Sequence, residues 1–261
     1  MDYNICMQFG ERVSMAIYLK DEFTAQYIAD PNIKVSLEGT HVLPIVKPDC
    51  YVFTRLNNKT YNVIIKSDIY LTEKFTVNME ELPSNKSIFF TLKPSPLYQF
   101  PSKSNIIRLS LIDSNEKPVE GASIEAAIVS EGSAAARILS TEGENDILNL
   151  VNISGGIGRG DTFEIKKKEG IPVETCTIAG KIKNGKFKLT KPLADEKIKG
   201  ALLMPLIYTR TDSRGECVIY FRNFREKNCE VRLKIENEDT ERRILMEEGS
   251  TIFLRRLQIV D

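Results

Sequence analysis

Apolar and polar residues alternate along this chain in short runs. Val13, Met15, Ile17 and Leu19 form the first; Ile33, Val35 and Leu37 the next; then come Tyr51 and Phe53, Tyr61, Val63 and Ile65, Phe75 and Val77, and Ile88 and Phe90. A period of two places each apolar set on one face of a strand. Turn residues separate the runs, at Asp30-Pro31, Glu38-Gly39, Lys47-Pro48-Asp49, Asn57-Asn58 and Pro83-Ser84-Asn85. No apolar stripe of helical period interrupts them, so residues 1–93 predict an all-β sandwich.

In the following stretch Pro94, Pro96 and Pro101 fall close together, a density that favours an extended, stiff connector. Residues 94–104 are expected to be a linker. Alternation resumes in a hairpin, with Ile107, Leu109 and Leu111 before the polar connection DSNEKPVEG and Ile124, Ala126 and Ile128 after it. One hairpin with a single apolar face is marginal alone. The strands that would complete it begin near Thr211, which predicts a discontinuous second sandwich over 105–129 and 208–261.

The intervening residues 130–207 have their own character. SEGSAAARILSTEGEND suits either a short helix over Ala134 to Leu139 or a simple crossing, and ILNLVNI, DTFEIKK, ETCTIAGKIKNGKFKLTKPL and KGALLMPLI supply strands. Asn184-Gly185 marks a tight hairpin, expected to be a type I′ turn with both residues at positive φ. The expectation is a small β-barrel-like subdomain inserted in a loop of the second sandwich, a position suited to recognition.

The two halves also repeat. Tyr51, Phe53, Leu56, Tyr61, Val63 and Ile65 match Ile219, Phe221, Phe224, Cys229, Val231 and Leu233 at a constant offset, and VSMAIYLKDEFTAQYIADPNIKVSL corresponds to IIRLSLIDSNEKPVEGASIEAAI. Two tandem sandwiches follow. The second half, through Asp113 to Ala122 and TDSRGECVIYF from Thr211, resembles the carboxypeptidase regulatory-like and transthyretin-like β-sandwich modules. The first half fits that pattern more loosely, with Asp49 and Cys50 near where a glycine is expected. The resemblance implies an Ig-like, prealbumin-like fold and no catalysis, since such modules serve as spacers, display platforms or interaction domains.

Composition adds exclusions. Lys plus Arg and Asp plus Glu each total 36, so no net field draws the chain to nucleic acid or an anionic membrane. No apolar run is long enough to insert in a membrane, and Asp2 and Glu11 stand where an export signal has a basic start and an apolar core. A cytoplasmic location is expected. The five cysteines, Cys6, Cys50, Cys176, Cys217 and Cys229, form no paired motif, and Cys217 alternates with Ile219 and Phe221 as a small core residue.

Motifs for chemistry are sparse. His41 is the only histidine, which excludes the His-based triads and His-rich metal sites. The glycines of GGIGRG from Gly155 lead into a strand rather than a helix, unlike a phosphate loop. Arg159-Gly160-Asp161 spells an integrin-type tripeptide and reads as a turn that starts a strand. Glu142, Glu144 and Asp146 depart from a calcium loop and read as a solvated turn, and Lys166, Lys167 and Lys168 as a hairpin tip. No catalytic, cofactor or metal residues are assigned.

The candidates for partner contact are Leu97, Tyr98 and Phe100 in the linker, which either wedge the sandwiches together or dock on another chain, and Arg159 and Asp161 in the insert. The C-terminal TIFLRRLQIVD suits a last strand that pairs within its own sheet or adds to a neighbour's edge. The expected function is a non-enzymatic structural or protein-interaction component of a larger assembly, one concrete form being a phage-tail-like or contractile injection particle. A glycan or cell-surface ligand module is the alternative, favoured by an exposed aromatic platform. An enzyme using a carboxylate pair is the third reading.

Overall fold

A computed structural model of the chain describes residues 12–167, 172–195, 198–222, 224–236, 238, 240–254 and 256–259. The expectations for Asp2, Cys6, Glu11 and Lys168 lie outside the described residues. The chain divides into two compact units, Met1–Tyr98 and Gln99–Asp261. The fold is all-β, and its helical content among the described residues is one 3₁₀ turn, Glu131–Ser133.

In the first unit β1 (Val13–Asp21), β2 (Tyr27–Ile28), β3 (Lys34–Leu37), β4 (Ile45–Val46), β5 (Tyr51–Thr54), β6 (Thr60–Lys66), β7 (Glu73–Asn78) and β8 (Ser87–Leu92) form two sheets. One runs β2-β1-β5-β4, with β8 parallel to β1; the other runs β3-β6-β7. The expected alternation holds, since Met15, Ile17, Leu19, Phe53, Val63 and Ile65 are all fully buried. Burying one such side chain contributes roughly 1.5–3 kcal/mol, which is what holds the two faces together.

The second unit contains β9 (Asn105–Ile112), β10 (Ser123–Ile128), β11 (Ala136–Glu142), β12 (Ile147–Val151), β13 (Thr162–Lys166), β14 (Pro172–Lys183), β15 (Lys186–Leu189), β16 (Leu202–Arg210), β17 (Glu216–Phe221), β18 (Asn228–Ile235), β19 (Arg242–Glu247), β20 (Thr251–Phe253) and β21 (Leu257–Gln258). Its sandwich repeats the central pairings of the first unit. Strand β9 is antiparallel to β17 and parallel to β20, as β1 is to β5 and β8, and β10-β18-β19 repeats β3-β6-β7. The registers coincide: Ile17 faces Tyr51 and Ile88, and its counterpart Ile107 faces Ile219 and Ile252. Likewise Val63 faces Leu37 and Phe75, and Val231 faces Ile128 and Ile244.

Between β10 and β17 the chain builds a closed barrel. The ring runs β11-β12-β15-β14-β13-β16 and closes where Ala136 and Arg137 of β11 meet Leu203 and Leu202 of β16. Closure leaves no free edge in the ring. Ile138, Leu148, Phe163, Ile165, Ile178 and Leu203 fill the interior.

Three details differ from the sequence expectation. Ala136 to Leu139 are strand, not helix, because the alternate side chains Ala136 and Ile138 enter the barrel core. At the Asn184-Gly185 tip only Gly185 has positive φ, at +74°, so the turn is not type I′. The register shift between Lys181 and Lys183 marks a bulge, which adds the local right-handed twist that a type I′ turn would otherwise accommodate. Finally, β16 crosses residues 207 and 208 without a break, serving the barrel through Leu202–Leu206 and the sandwich through Leu206–Arg210.

Candidate functional site

Alternation puts one residue in two on the outside of each sheet, and in the first unit several of these are aromatic or aliphatic. In β1, Ile17 and Leu19 are fully buried, which turns Tyr18 outward between them. In β8, Phe89 faces Tyr18 across the parallel pair, and their rings stack with centroids 5.0 Å apart at 22°. Tyr27 of β2 closes the group edge-on, 6.3 Å from Tyr18 and 6.0 Å from Phe89. Tyr27 and Phe89 are 51% and 45% exposed. The next row across the same face is Ala16, Val52 and Ile45, and Ile45 is also 45% exposed. Soluble surfaces seldom gather this much apolar area on one sheet face without a partner. The Tyr18 hydroxyl is held above the ordinary tyrosine range, chiefly by the neighbouring Cys50, whose thiolate would oppose a second negative charge, and further by burial and Asp49.

This aromatic face was missed in the sequence. The signal was present, as an aromatic residue on the polar side of an alternating strand: Tyr18 between Ile17 and Leu19, and Phe89 between Ile88 and Phe90.

The residues expected from sequence are dispersed. Leu97 is 53% exposed, whereas Tyr98 is buried in the first unit with its hydroxyl donating to Asp21. Residues up to Tyr98 pack on that unit, since the Ser95 amide donates to the Ile69 carbonyl and the Ser95 hydroxyl to the Asp68 carbonyl. Phe100 belongs to the second unit, its ring 5.5 Å from that of Tyr220. In the insert, Asp161 accepts from the Gly158 amide at 2.8 Å and pairs with Arg222, so its carboxylate is spent on fixing the turn that carries Arg159. The C-terminal strands β20 and β21 pair with β9 of their own unit.

The reactive groups are likewise engaged. Cys50, Cys176, Cys217 and Cys229 are free and buried, and burial pushes the thiols of Cys176 and Cys217 up to about 12. Glu142 and Asp146 pair with Lys186 and Lys188 of β15. Among the described residues no group of three or more His, Cys, Asp or Glu is arranged to hold a metal ion. The densest charge cluster lies on the sheet joining barrel and sandwich, where Arg232 meets Glu164 at 2.7 Å, Glu125 at 3.3 Å and Glu241 at 3.8 Å. A guanidinium between two carboxylates clamps β10, β13 and β18 together; as a catalytic pair the two would have to face a substrate instead.

No protein-family description matches the chain, and no curated protein does. Among solved structures it is similar to a Streptococcal ancillary pilin, with 10% identity, a TM-score of 0.25, and coverage of 94% of this chain and 68% of that one. It is also similar to the shaft pilin SpaA from Lactobacillus rhamnosus GG, with 8% identity, a TM-score of 0.24, and coverage of 94% and 96%.

Proposed function

We propose that this chain is a non-enzymatic structural or interaction component of a larger protein assembly, with two stiff sandwich modules and the aromatic face of the first as its contact surface. The observation that supports this most is the cluster of Tyr18, Tyr27 and Phe89 on the outer face of one sheet. Leu97, exposed near the end of the same unit, is a second proposed contact. A cytoplasmically built particle of phage-tail-like or contractile type is one concrete form. The test is the native mass of complexes isolated from the chain's own cells, for the wild type and for Tyr27→Glu with Phe89→Glu. A large stoichiometric assembly from which the double variant is lost is the expected result; a wild-type monomer would overturn the proposal.

A second reading is a glycan-binding module. It is supported by the same exposed rings, whose faces offer apolar surface of the kind sugars stack against. Titration of the chain with an oligosaccharide library, read by tyrosine fluorescence and calorimetry, separates the two readings, because only the glycan module responds without another protein.

A further inference from the structure

Strand β19 is the outer strand of its sheet. Among the described residues it pairs with β18 alone, over Arg242–Glu247 and without a register shift. Such an edge presents a row of free amides and carbonyls, which proteins ordinarily blunt with a lysine, a proline or a bulge. Strand β19 has none of the three. Its backbone phase is fixed by the next pair along the ladder, where the Glu248 amide donates to the Lys227 carbonyl at 2.9 Å. Met246, Ile244 and Arg242 therefore turn their backbone groups toward β18, and Arg243, Leu245 and Glu247 turn theirs to the open side. The same three carry their side chains on the outer face, where Leu245 is 70% exposed, while Met246 is fully buried.

About Leu245 the sequence is a mirror in charge. Arg242 and Arg243 stand before Ile244-Leu245-Met246, and Glu247 and Glu248 after it. Two copies of β19 laid antiparallel, with Leu245 opposite the partner's Leu245, set Arg243 opposite the partner's Glu247 and Ile244 opposite the partner's Met246. Opposed residues of an antiparallel pair lie on one face, so the leucine contact and both ion pairs fall together on the outside. The phase agrees, because Arg243, Leu245 and Glu247 are the residues that must exchange hydrogen bonds in that register. Within the chain Arg243 meets Glu230 at 3.1 Å and Glu247 meets Lys227 at 3.8 Å, exposed pairs that contribute little and are readily exchanged. The equivalent edge of the first unit lacks this pattern. There Lys74, Thr76 and Asn78 take the places of Arg243, Leu245 and Glu247, with Lys74 paired to Glu38 and Thr76 bonded to Asn62.

We propose that two copies of this chain join edge to edge through β19, antiparallel and centred on Leu245, across a two-fold axis normal to the sheet. The partner is a second copy because the complement of this edge is the edge itself, and an isologous contact of that kind closes on two chains. The contact uses the second unit alone, so it stands whether or not the aromatic face of the first binds a partner.

The test measures self-association by sedimentation equilibrium over a concentration series, in the full chain carrying Tyr27→Glu with Phe89→Glu, so that contacts through the aromatic face do not enter. A monomer–dimer equilibrium is expected. Arg243→Glu and Glu247→Arg, each alone, set like charges opposite one another and should weaken the dimer at least about tenfold. An equimolar mixture of the two should restore it, since one chain then offers glutamate at both positions and the other arginine. Leu245→Pro removes an outward amide that β18 does not use, so the folded monomer remains and the dimer is lost. A parent chain that stays monomeric at every concentration, single variants that dimerise as the parent does, or a mixture no tighter than its components would overturn the proposal.

Discussion

Tyr98 and Asp21, 77 positions apart in the chain, meet at 2.6 Å, the phenol hydroxyl donating to Oδ2 of a carboxylate that is 3% exposed. Tyr70 donates to the same oxygen at 2.6 Å, and the Thr24 amide to Oδ1 at 2.8 Å. A buried charge is tolerable only when its acceptors are filled in this way. The register equivalent of Asp21 in the second unit is Leu111, an ordinary core residue. Asp21→Ala is therefore expected to destabilise the first unit by about 3 kcal/mol, since it strands two buried hydroxyls. Asp21→Leu with Tyr70→Phe and Tyr98→Phe, which removes both sides of the network, should recover much of that loss. Denaturant titration followed by hydrogen exchange in the first unit checks both.

Tyr51 predicts the alkaline limit of stability. Burial pushes its hydroxyl, which donates to the Asp30 carbonyl at 2.7 Å, up to about 12. In the unfolded chain it ionises near 10, so the folded state alone keeps the proton between those values. Stability from this group is then full below pH 10 and falls as pH rises through 12, by about 2 kcal/mol at pH 12. Tyr70 and Tyr98, raised by burial and then by Asp21, steepen the fall. Tyr51→Phe should lower stability at pH 7 by about 1 kcal/mol and flatten the alkaline slope. Thermal unfolding between pH 7 and 12 is the measurement.

Gly215 sits in the turn entering β17 with φ +70°, and a Cβ there would stand 2.4 Å from the Leu111 carbonyl oxygen. Asp212 fixes the same turn by accepting from the Arg214 and Glu216 amides at 2.9 and 3.0 Å. Gly215→Ala meets both a backbone clash and a disfavoured φ, and is expected to lose at least about 2 kcal/mol. Asp212→Ala should lose about 1 kcal/mol. Equal unfolding midpoints for the two variants would contradict this ranking.

Cys176 and Cys217 should be inert in the folded chain. With both thiols near 12, the thiolate at pH 8 is scarcer than for an ordinary cysteine by about three orders of magnitude. Iodoacetamide labelling before and after unfolding, with peptide mapping, should mark both positions only after unfolding.

The alternation of Met15, Ile17 and Leu19, or of Tyr61, Val63 and Ile65, made the sandwich strands legible because burial in a half-covered sheet follows a period of two. The repeat was legible for the same reason, since Val63 and Val231 must each fit between two neighbouring strands. Partnership is not written in that period. Nothing in ARILSTE or LLMPLIYTR says that Ala136 meets Leu203, so the closing pair of the barrel and the double role of β16 had to be seen. Tyr98 was misplaced because prolines on either side of it described the backbone and not the destination of its hydroxyl. The outward rings were overlooked because alternation directs attention to the apolar side of each strand.

The uninterrupted run of β16 through barrel and sandwich has a mechanical meaning. A module grafted through two flexible loops could swivel, but here Leu206 faces Thr162 of β13 in the barrel on one side and Ala127 of β10 in the sandwich on the other. A load on the barrel therefore enters the sandwich as shear along a ladder of hydrogen bonds, which must yield together, rather than as bending at a joint. The insert behaves as a fixed arm.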